Sequence, residues 1–126
     1  MSEDRRSFGR EAEAAAEQYL RRKGYRILGR NVRLATGELD LVAETGGRIV
    51  FVEVKARRTQ AYGGTAYAVD ARKQRRVAKL AGQFLAQRRL GDRPCRFDVV
   101  LCSAGESSEP MIEHIENAFD VPDERR

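Results

Sequence analysis

The stretch GELDLVAETGGRIVFVEVKARR, from Gly37 to Arg58, contains two strand-like segments separated by the glycine pair Gly46–Gly47. Alternating apolar residues on both sides of two glycines predict a β-hairpin with a two-residue type I′ turn, because both central positions of that turn need a positive φ. So short a turn also sets which residues of the two strands face each other. The predicted pairs are Val42 with Phe51, Asp40 with Glu53, and Glu38 with Lys55.

The hairpin carries charged side chains within strands that are otherwise apolar. Because strand side chains alternate, the six paired residues are expected on one face. The other face would carry Val50, Val52 and Val54, which is typical of a central, buried strand. Asp40 and Glu53 would then be like charges with Cβ atoms about 5 Å apart, an arrangement that destabilises a sheet unless a proton or a cation lies between them.

A divalent cation is one solution to this repulsion. Carboxylate oxygens are the ligands that Mg²⁺ and Mn²⁺ prefer, and Mg²⁺ keeps coordination positions open for water and a substrate phosphate. Lys55 lies on the same face, two residues beyond Glu53, where its ammonium could stabilise negative charge that develops on a phosphate. The alternative is structural, because a Glu-x-Lys sequence also forms ion pairs on the solvated face of a strand.

Composition narrows the classes of protein to be considered. The chain has 126 residues, of which 41% are hydrophobic and 34% are charged, so we expect one globular domain over residues 1–126. Apolar runs stay well below the length of a membrane span, and the first ten residues lack the apolar segment of a secretory signal. We therefore expect a cytoplasmic protein without a membrane partner.

The two cysteines agree with a reducing compartment. Cys95 and Cys102 lie in one predicted strand, CRFDVVLC, and point to opposite faces, so they cannot form a disulfide with each other. Their spacing does not match a zinc site. A nucleophilic Cys102 would need His114, the single histidine of the chain, as its base. We expect a buried, unreactive thiol instead.

Basic and acidic residues are unevenly distributed along the chain, whose formal net charge is +5. Residues 72–96 contain nine basic residues and one acidic residue, whereas residues 97–126 contain eight acidic residues and two arginines. A basic segment followed by an acidic tail, here about 103–126, indicates an anionic polymer as partner on one face. The alternative is a solvated helix face without a partner.

Helix and strand signals follow the order αβββαβ. Ser7 is expected to cap a first helix that ends at Gly24, and YRILGRNVRL, residues 25–34, predicts a strand before the hairpin. Residues 56–68 lack periodicity and predict a loop, after which Asp70 is expected to cap a second helix.

The second helix and the last strands complete a predicted α/β fold. Apolar residues recur at helical spacing at Val77, Leu80, Ala81, Phe84 and Leu85. CRFDVVLC predicts a fourth strand, which the helical crossover makes parallel to the third. MIEHIENAF, residues 111–119, predicts either a short strand or a helical turn. The expected architecture is a mixed sheet flanked by helices.

These features together resemble a superfamily of nucleases. An acid on the second strand followed by Glu-x-Lys on the third resembles the PD-(D/E)-x-K superfamily, with its restriction-endonuclease-like αβββαβ core. More narrowly, the chain is similar to the YraN family of bacterial proteins, described as endonuclease-like and similar to archaeal Holliday junction resolvases. The motifs that carry this resemblance are AExxAxxYL at Ala12–Leu20, GELDLVA at Gly37–Ala43, FVEVKxR at Phe51–Arg57, Tyr62–Gly63, Lys73 and RFDVV at Arg96–Val100.

The resemblance implies roles for individual residues. Asp40 and Glu53 correspond to metal ligands and Lys55 to the catalytic lysine, while Glu13 on the first helix matches a further acid near the metal. Leu39 stands where the superfamily motif has a proline. The resemblance further implies Mg²⁺ or Mn²⁺ as cofactor, branched or otherwise structured DNA as substrate, and a possible homodimer.

Basic residues around the second helix are expected to contact DNA. Lys73 lies on the core-facing side of the first helical turn, where it and the helix amides would form a phosphate-binding corner beside Lys55. In the alternative interpretation, the Lys73 side chain extends to solvent. The other residues expected to contact phosphates are Arg57, Arg58, Arg72, Arg75 and Arg76. Since phosphate contacts carry no sequence information, we expect recognition of DNA structure rather than of base sequence.

Three functional classes remain open at this point. The first is a metal-dependent endonuclease in which water attacks a phosphodiester. The second is a non-catalytic nucleic-acid-binding module with the same fold, and the third is an interaction protein in which Glu-x-Lys is structural. Metal-dependent cleavage distinguishes the first class from the second, and salt-sensitive DNA affinity distinguishes the second from the third.

Overall fold

Two helices and five strands make up the part of the chain that the computed structural model describes, which is residues 2–57, 71–103 and 110–119, with side chains described outside 2–8 and 57. The elements are α1 (Ser2–Arg22), β1 (Arg26–Leu34), β2 (Gly37–Thr45), β3 (Arg48–Arg57), α2 (Ala71–Arg88), β4 (Cys95–Ser103) and β5 (Met111–Ile115). This order confirms the predicted α/β class and αβββαβ core. The ambiguous segment at residues 111–119 begins with a fifth strand.

The five strands form one mixed sheet in the spatial order β1-β2-β3-β4-β5. Neighbouring strands are antiparallel except β3 and β4, which pair in parallel from Ile49–Cys95 to Arg57–Ser103. The predicted parallel relation of the third and fourth strands is therefore confirmed. Strand β3 is central, and its residues Val50 and Val52 are buried as expected.

The glycine pair closes the β2–β3 hairpin as predicted. Gly46 and Gly47 have φ values of 57° and 80°, the region that a type I′ turn requires. The strands pair in the predicted register from Thr45–Arg48 to Leu41–Val52. The β2–β3 pairing ends at Leu41–Val52, so the predicted opposed pairs Asp40–Glu53 and Glu38–Lys55 do not form part of the ladder. Glu38 instead forms an ion pair with Arg33, its partner on β1.

The regular alternation of β2 is interrupted at Asp40. Leu41 packs on the α1 side of the sheet, whereas Leu39, two residues away, packs on the α2 side. On the adjoining strand, Asn31 lies between the pairs Arg30–Leu41 and Val32–Leu39 with a φ of 48°. Because Leu39 and Leu41 lie on opposite sides of the sheet, the expectation that the charged positions share one face is wrong at this end of the hairpin.

The two helices cover opposite faces of the sheet. Ala12, Ala16 and Leu20 of α1 pack against one face. The other face is covered by α2 through the five predicted apolar residues, all buried: Val77, Leu80, Ala81, Phe84 and Leu85. The Phe84 and Phe51 rings meet edge to face with centroids 5.9 Å apart, and full burial of such a side chain stabilises the fold by about 1.5–3 kcal/mol.

Several element ends differ from the predictions. Helix α1 begins at Ser2, so Ser7 lies inside the helix and its predicted capping role is wrong. Acidic residues at positions 3 and 4 suit the positive end of the helix dipole and favour the earlier start. The other end is confirmed: Gly24 has a φ of 95°, and the Tyr25 amide donates to the Leu20 carbonyl at 3.0 Å, as in a Schellman motif.

The remaining corrections concern the predicted loop and the acidic tail. Residues 56 and 57 belong to β3 rather than to the loop, whose other residues lie outside the described part of the chain, as does Asp70. The segment predicted as an acidic tail begins within β4 and includes β5, and Phe119 stacks on Phe97 with ring centroids 5.1 Å apart. Neither described helix has the length and apolar character needed to cross a membrane.

Candidate functional site

Asp40 lies where β2 leaves the regular ladder, and its carboxylate replaces a backbone acceptor. The Oδ2 atom accepts a hydrogen bond of 2.9 Å from the amide of Val54 on β3. The pKa of Asp40 is raised to about 6, mainly by burial and in addition by the nearby charges of Glu53 and Glu13. The Val54 hydrogen bond and the charge of Lys73 act in the opposite direction. Four charged side chains therefore share one electrostatic environment.

Glu53 follows the last regular hairpin pair on β3 and forms an ion pair with α2. Its Oε1 atom lies 2.7 Å from the Nζ atom of Lys73, and the two side chains are 20% and 30% exposed. Lys73 stands in the first turn of α2, which brings the predicted core-facing lysine to the carboxylates. The interpretation in which this side chain only extends to solvent does not describe the observed contact.

Glu13 approaches the same region from α1. Its side chain is half-buried, and this burial raises the pKa of Glu13. A hydrogen bond from Asn31 lowers the pKa, whereas the charge of Glu38 raises it. The acid that was predicted from the first helix thus lies close enough to Asp40 for their charges to interact.

The other predicted site residues lie farther into solvent. Lys55 is exposed, and among the described residues it has no hydrogen bond or ion pair. On α2 the arginines Arg72, Arg75 and Arg76 are exposed, consistent with a surface open to a partner. The side chain of Arg57 and all of Arg58 lie outside the described residues.

The donor set fits a hard divalent cation in its chemistry. Asp40, Glu53 and Glu13 offer carboxylate oxygens, and the raised pKa of Asp40 reflects its burial first and the charges of the two glutamates second. As they stand, no three His, Cys, Asp or Glu side chains in the described ranges are grouped as a metal-binding set. Glu53 is instead neutralised by Lys73.

A second polar network, which the sequence reasoning missed, is buried between β4 and β5. Asp98 is 1% exposed and accepts four hydrogen bonds, from Arg96 Nε and Nη2 at 2.9 and 2.8 Å, from His114 Nε2 at 2.7 Å and from the Asn117 amide at 3.0 Å. Burial alone would raise the pKa of Asp98, but the donors together lower it below its usual value. The signal was a charged residue inside the apolar strand motif RFDVV.

His114 belongs to this network and not to a cysteine site. The Nζ atom of Lys23 lies 3.0 Å from its Nδ1 atom. An ammonium group only donates, so Nδ1 accepts and the ring proton is on Nε2, directed at Asp98. Burial raises the pKa of Cys102 to about 11, and its thiol donates to the Ala12 carbonyl at 3.4 Å. The expected unreactive thiol is consistent with this environment.

Comparison with known proteins places the chain in one family. The model of "Uncharacterised protein family UPF0102" matches residues 12–102. A UPF0102 protein of Symbiobacterium thermophilum is 50% identical over 116 residues, covering 90% of this chain and 97% of the relative. One of Pseudomonas aeruginosa is 47% identical over 121 residues, covering 94% and 97%. One of Geotalea uraniireducens is 45% identical over 118 residues, covering 94% and 93%.

The matched range contains every element from the middle of α1 to β4, including Glu13, Asp40, Glu53 and Lys73. It therefore includes the carboxylates, the contacting lysine and the basic turn of α2. With nearly full-length relatives at these identities, the chain belongs to the UPF0102 family, the YraN-type family that its motifs resemble.

Proposed function

We propose that this protein is a metal-dependent endonuclease that hydrolyses phosphodiesters of branched or otherwise structured DNA in the cytoplasm. The observation that carries the proposal is the gathering of Asp40, Glu53 and Glu13 beside Lys73 at the first turn of a basic helix. Acidic and basic side chains lie together at the interruption of the sheet at Asp40. The αβββαβ order of the fold is that of the nuclease superfamily which the sequence resembles. Family membership supports the endonuclease-like character in general terms.

The carboxylates would hold Mg²⁺ or Mn²⁺, whose chemistry at this place is polarisation of a phosphoryl oxygen. The proposed reaction is attack of water on phosphorus, in which one P–O bond forms while the bond to the leaving sugar oxygen breaks. Lys55 and Lys73 supply positive charge for the phosphate, and the exposed arginines Arg72, Arg75 and Arg76 hold neighbouring phosphates of the backbone.

The direct test is a cleavage assay on labelled DNA. Purified protein is incubated with four-way junctions, flaps, duplexes and single strands, in Mn²⁺ or in EDTA. We expect cleavage of the branched substrates in Mn²⁺ alone. Because even indirect supports of a metal site cost tenfold to a hundredfold when replaced, Glu53→Gln should lower the rate by more than about a hundredfold.

The matched control is Glu113→Gln, which makes the same chemical change at an exposed position of β5. It should cleave at the wild-type rate. Equal cleavage by wild type and Glu53→Gln would contradict the proposed site, since a contaminating nuclease or another part of the chain would then be responsible.

A non-catalytic nucleic-acid-binding module is the second candidate, and one observation favours it. The 2.7 Å ion pair with Lys73 neutralises Glu53 without any metal ion, as a structural role would require. In this case the protein would bind branched DNA equally well in Mn²⁺ and in EDTA, and none of the substrates would be cleaved. The same assay, with a gel-shift readout beside the cleavage readout, separates the two candidates.

A further inference from the structure

At the contact between α2 and β3, a lysine ammonium lies beside a carboxylate that the proposed function assigns to a metal ion. The Lys73 Nζ atom lies 2.7 Å from Glu53 Oε1. A lysine ammonium is a compact point charge on a flexible stem, so it can occupy such a position and can also leave it. The side chain is 30% exposed, which gives it a path to solvent.

The charges around this ammonium do not balance. The charges of Glu53 and Glu13 act on Asp40 to disfavour its ionised form, and the charge of Lys73 acts to favour it. Among these four groups, three are carboxylates and one is an ammonium. A divalent cation carries twice the charge of the ammonium and would therefore offset more of the negative charge from the same place.

The lysine of the Glu-x-Lys motif is not the one that forms an ion pair with the motif's glutamate. Lys55 is exposed and, within the ranges the structure describes, forms neither an ion pair nor a hydrogen bond. The lysine that contacts the motif's glutamate comes from a different element, the first turn of α2.

We propose that Lys73 is the resident counter-ion of the carboxylate site, holding Glu53 in the metal-free protein and giving up that position when a divalent cation binds. This inference rests on the proposed function, because it assumes that the site takes a metal ion. Release would leave the Lys73 ammonium at the N-terminal turn of α2, next to the exposed Arg72, where a phosphate of the nucleic acid could be bound.

The test is calorimetric titration of Mn²⁺ into the wild type, Lys73→Met and Lys79→Met. Lys79 is an exposed lysine of the same helix and provides the matched control. Without its competitor, Lys73→Met should bind Mn²⁺ about fivefold more tightly, the factor that corresponds to a partly exposed ion pair. Lys79→Met should bind as the wild type does. Lys73→Gln should repeat the increase, which excludes misfolding of a single variant as its cause.

Each outcome separates this inference from the proposed function. Equal or weaker binding by Lys73→Met and Lys73→Gln overturns the inference and leaves the proposed function standing. Binding by these variants but not by the wild type supports the inference, and it shows that the native chain keeps its own site closed to metal. If none of the proteins binds Mn²⁺, both the inference and the metal-dependent function are overturned.

Discussion

Asp40 combines two roles that oppose each other energetically. Its carboxylate satisfies the Val54 amide at the point where the hairpin ladder ends, which stabilises the local fold. Burial and two neighbouring carboxylates at the same time disfavour its ionised form and bring its pKa to about 6. Asp40 thus stabilises the fold as a hydrogen-bond acceptor, whereas its negative charge destabilises it. A bound cation would offset that charge, as expected of a perturbed carboxylate at a functional site.

The pH dependence of stability should report this cost in the metal-free protein. The folded-state pKa of Asp40, about 6, lies above its reference value of 3.8. The folded protein therefore binds this proton more readily than the unfolded chain does. The stabilisation is fully present below about pH 4 and is lost as the pH rises through about 6.

Asp40→Asn should remove this loss, because the amide oxygen can still accept from Val54. We expect the variant to equal the wild type near pH 4 and to exceed it at pH 7.5 by on the order of 2 kcal/mol. Urea denaturation in EDTA at both pH values measures the difference. A variant that is less stable than the wild type at pH 7.5, and that responds equally to added Mn²⁺, would contradict the site.

Asp98 has the opposite behaviour, and its replacement should be destabilising. Asp98→Asn removes the closer and fully buried counter-charge of the Arg96 guanidinium and leaves it only the exposed Glu116, a loss on the order of 3 kcal/mol in the free energy of unfolding at pH 7. Because the folded-state pKa of Asp98 is lowered, its contribution is present above its reference value of 3.8 and is lost as the pH falls through the folded-state value.

Denaturation of Asp98→Asn beside Glu113→Gln measures this effect, since the second variant alters an exposed acid on the neighbouring strand. The control should stay within about 0.5 kcal/mol of the wild type. Equal small losses in both variants would mean that the network is not a stabilising one.

At the scale of the elements, the first turns of α2 provide the basic surface. Arg72, Arg75 and Arg76 are exposed there, while the opposite side of the helix is buried against the sheet. Replacing all three by alanine should flatten the slope of log affinity for DNA against log salt by roughly 0.9 for each phosphate contact that is lost. Fluorescence anisotropy with a labelled junction over a series of NaCl concentrations measures the slope.

The matched control is the triple replacement of Arg21, Arg26 and Arg30 by alanine. These arginines are also exposed, but they form ion pairs with Glu17 and Glu44 on α1 and β2. The same change of net charge at this place should leave the slope nearly unchanged. If both triple variants flatten it equally, binding follows overall charge and α2 is not the contact surface.

The hairpin turn is the element that sets the register of the site. An alanine side chain at Gly46 or Gly47, with φ values of 57° and 80°, should cost on the order of 1 kcal/mol of stability. Gly82 is the control, because it lies in the interior of α2, where an added Cβ atom meets open space. Gly82→Ala should be stabilising by a similar amount, as measured by thermal denaturation. Destabilisation by all three variants would show that the φ values are not the cause.

Local patterns were sufficient to predict most of these elements. The Gly46–Gly47 pair predicted the hairpin register as far as Leu41–Val52, and helical spacing predicted the buried face of α2 without error. Both signals depend on residues that are close in sequence, where turn geometry and the helical period act directly.

The parts that were not predicted depend on contacts between distant elements. The interruption of alternation at Asp40 lies opposite Asn31, a residue of the adjoining strand in the left-handed conformation, and no pattern within β2 indicates it. The ion pair between Glu53 and Lys73 could not be predicted from local patterns, because it depends on where the chain places α2 after β3. For Asp98, the charge inside an apolar strand was a usable signal, but two of its donor residues, His114 and Asn117, come from a later segment of the chain.

At the scale of the whole molecule, the sheet separates two apolar layers. One lies under α1 and the other under α2, and the carboxylate site lies where both helices reach the same break in the sheet. Glu13 comes from α1 and Lys73 from α2, so the composition of the site depends on both helices being docked.

Each helix also covers one thiol, which gives the protein two natural chemical reporters. Cys102 lies under α1, with its sulfur on the Ala12 carbonyl, while Cys95 packs partly exposed on the α2 side. Movement of α1 away from the sheet would expose Cys102 to a thiol reagent. Since Ala12 directly precedes Glu13, the same movement carries that acid away from Asp40. The labelling rate of Cys102 therefore reports how often α1 leaves the carboxylate site, and it can be measured without any substrate.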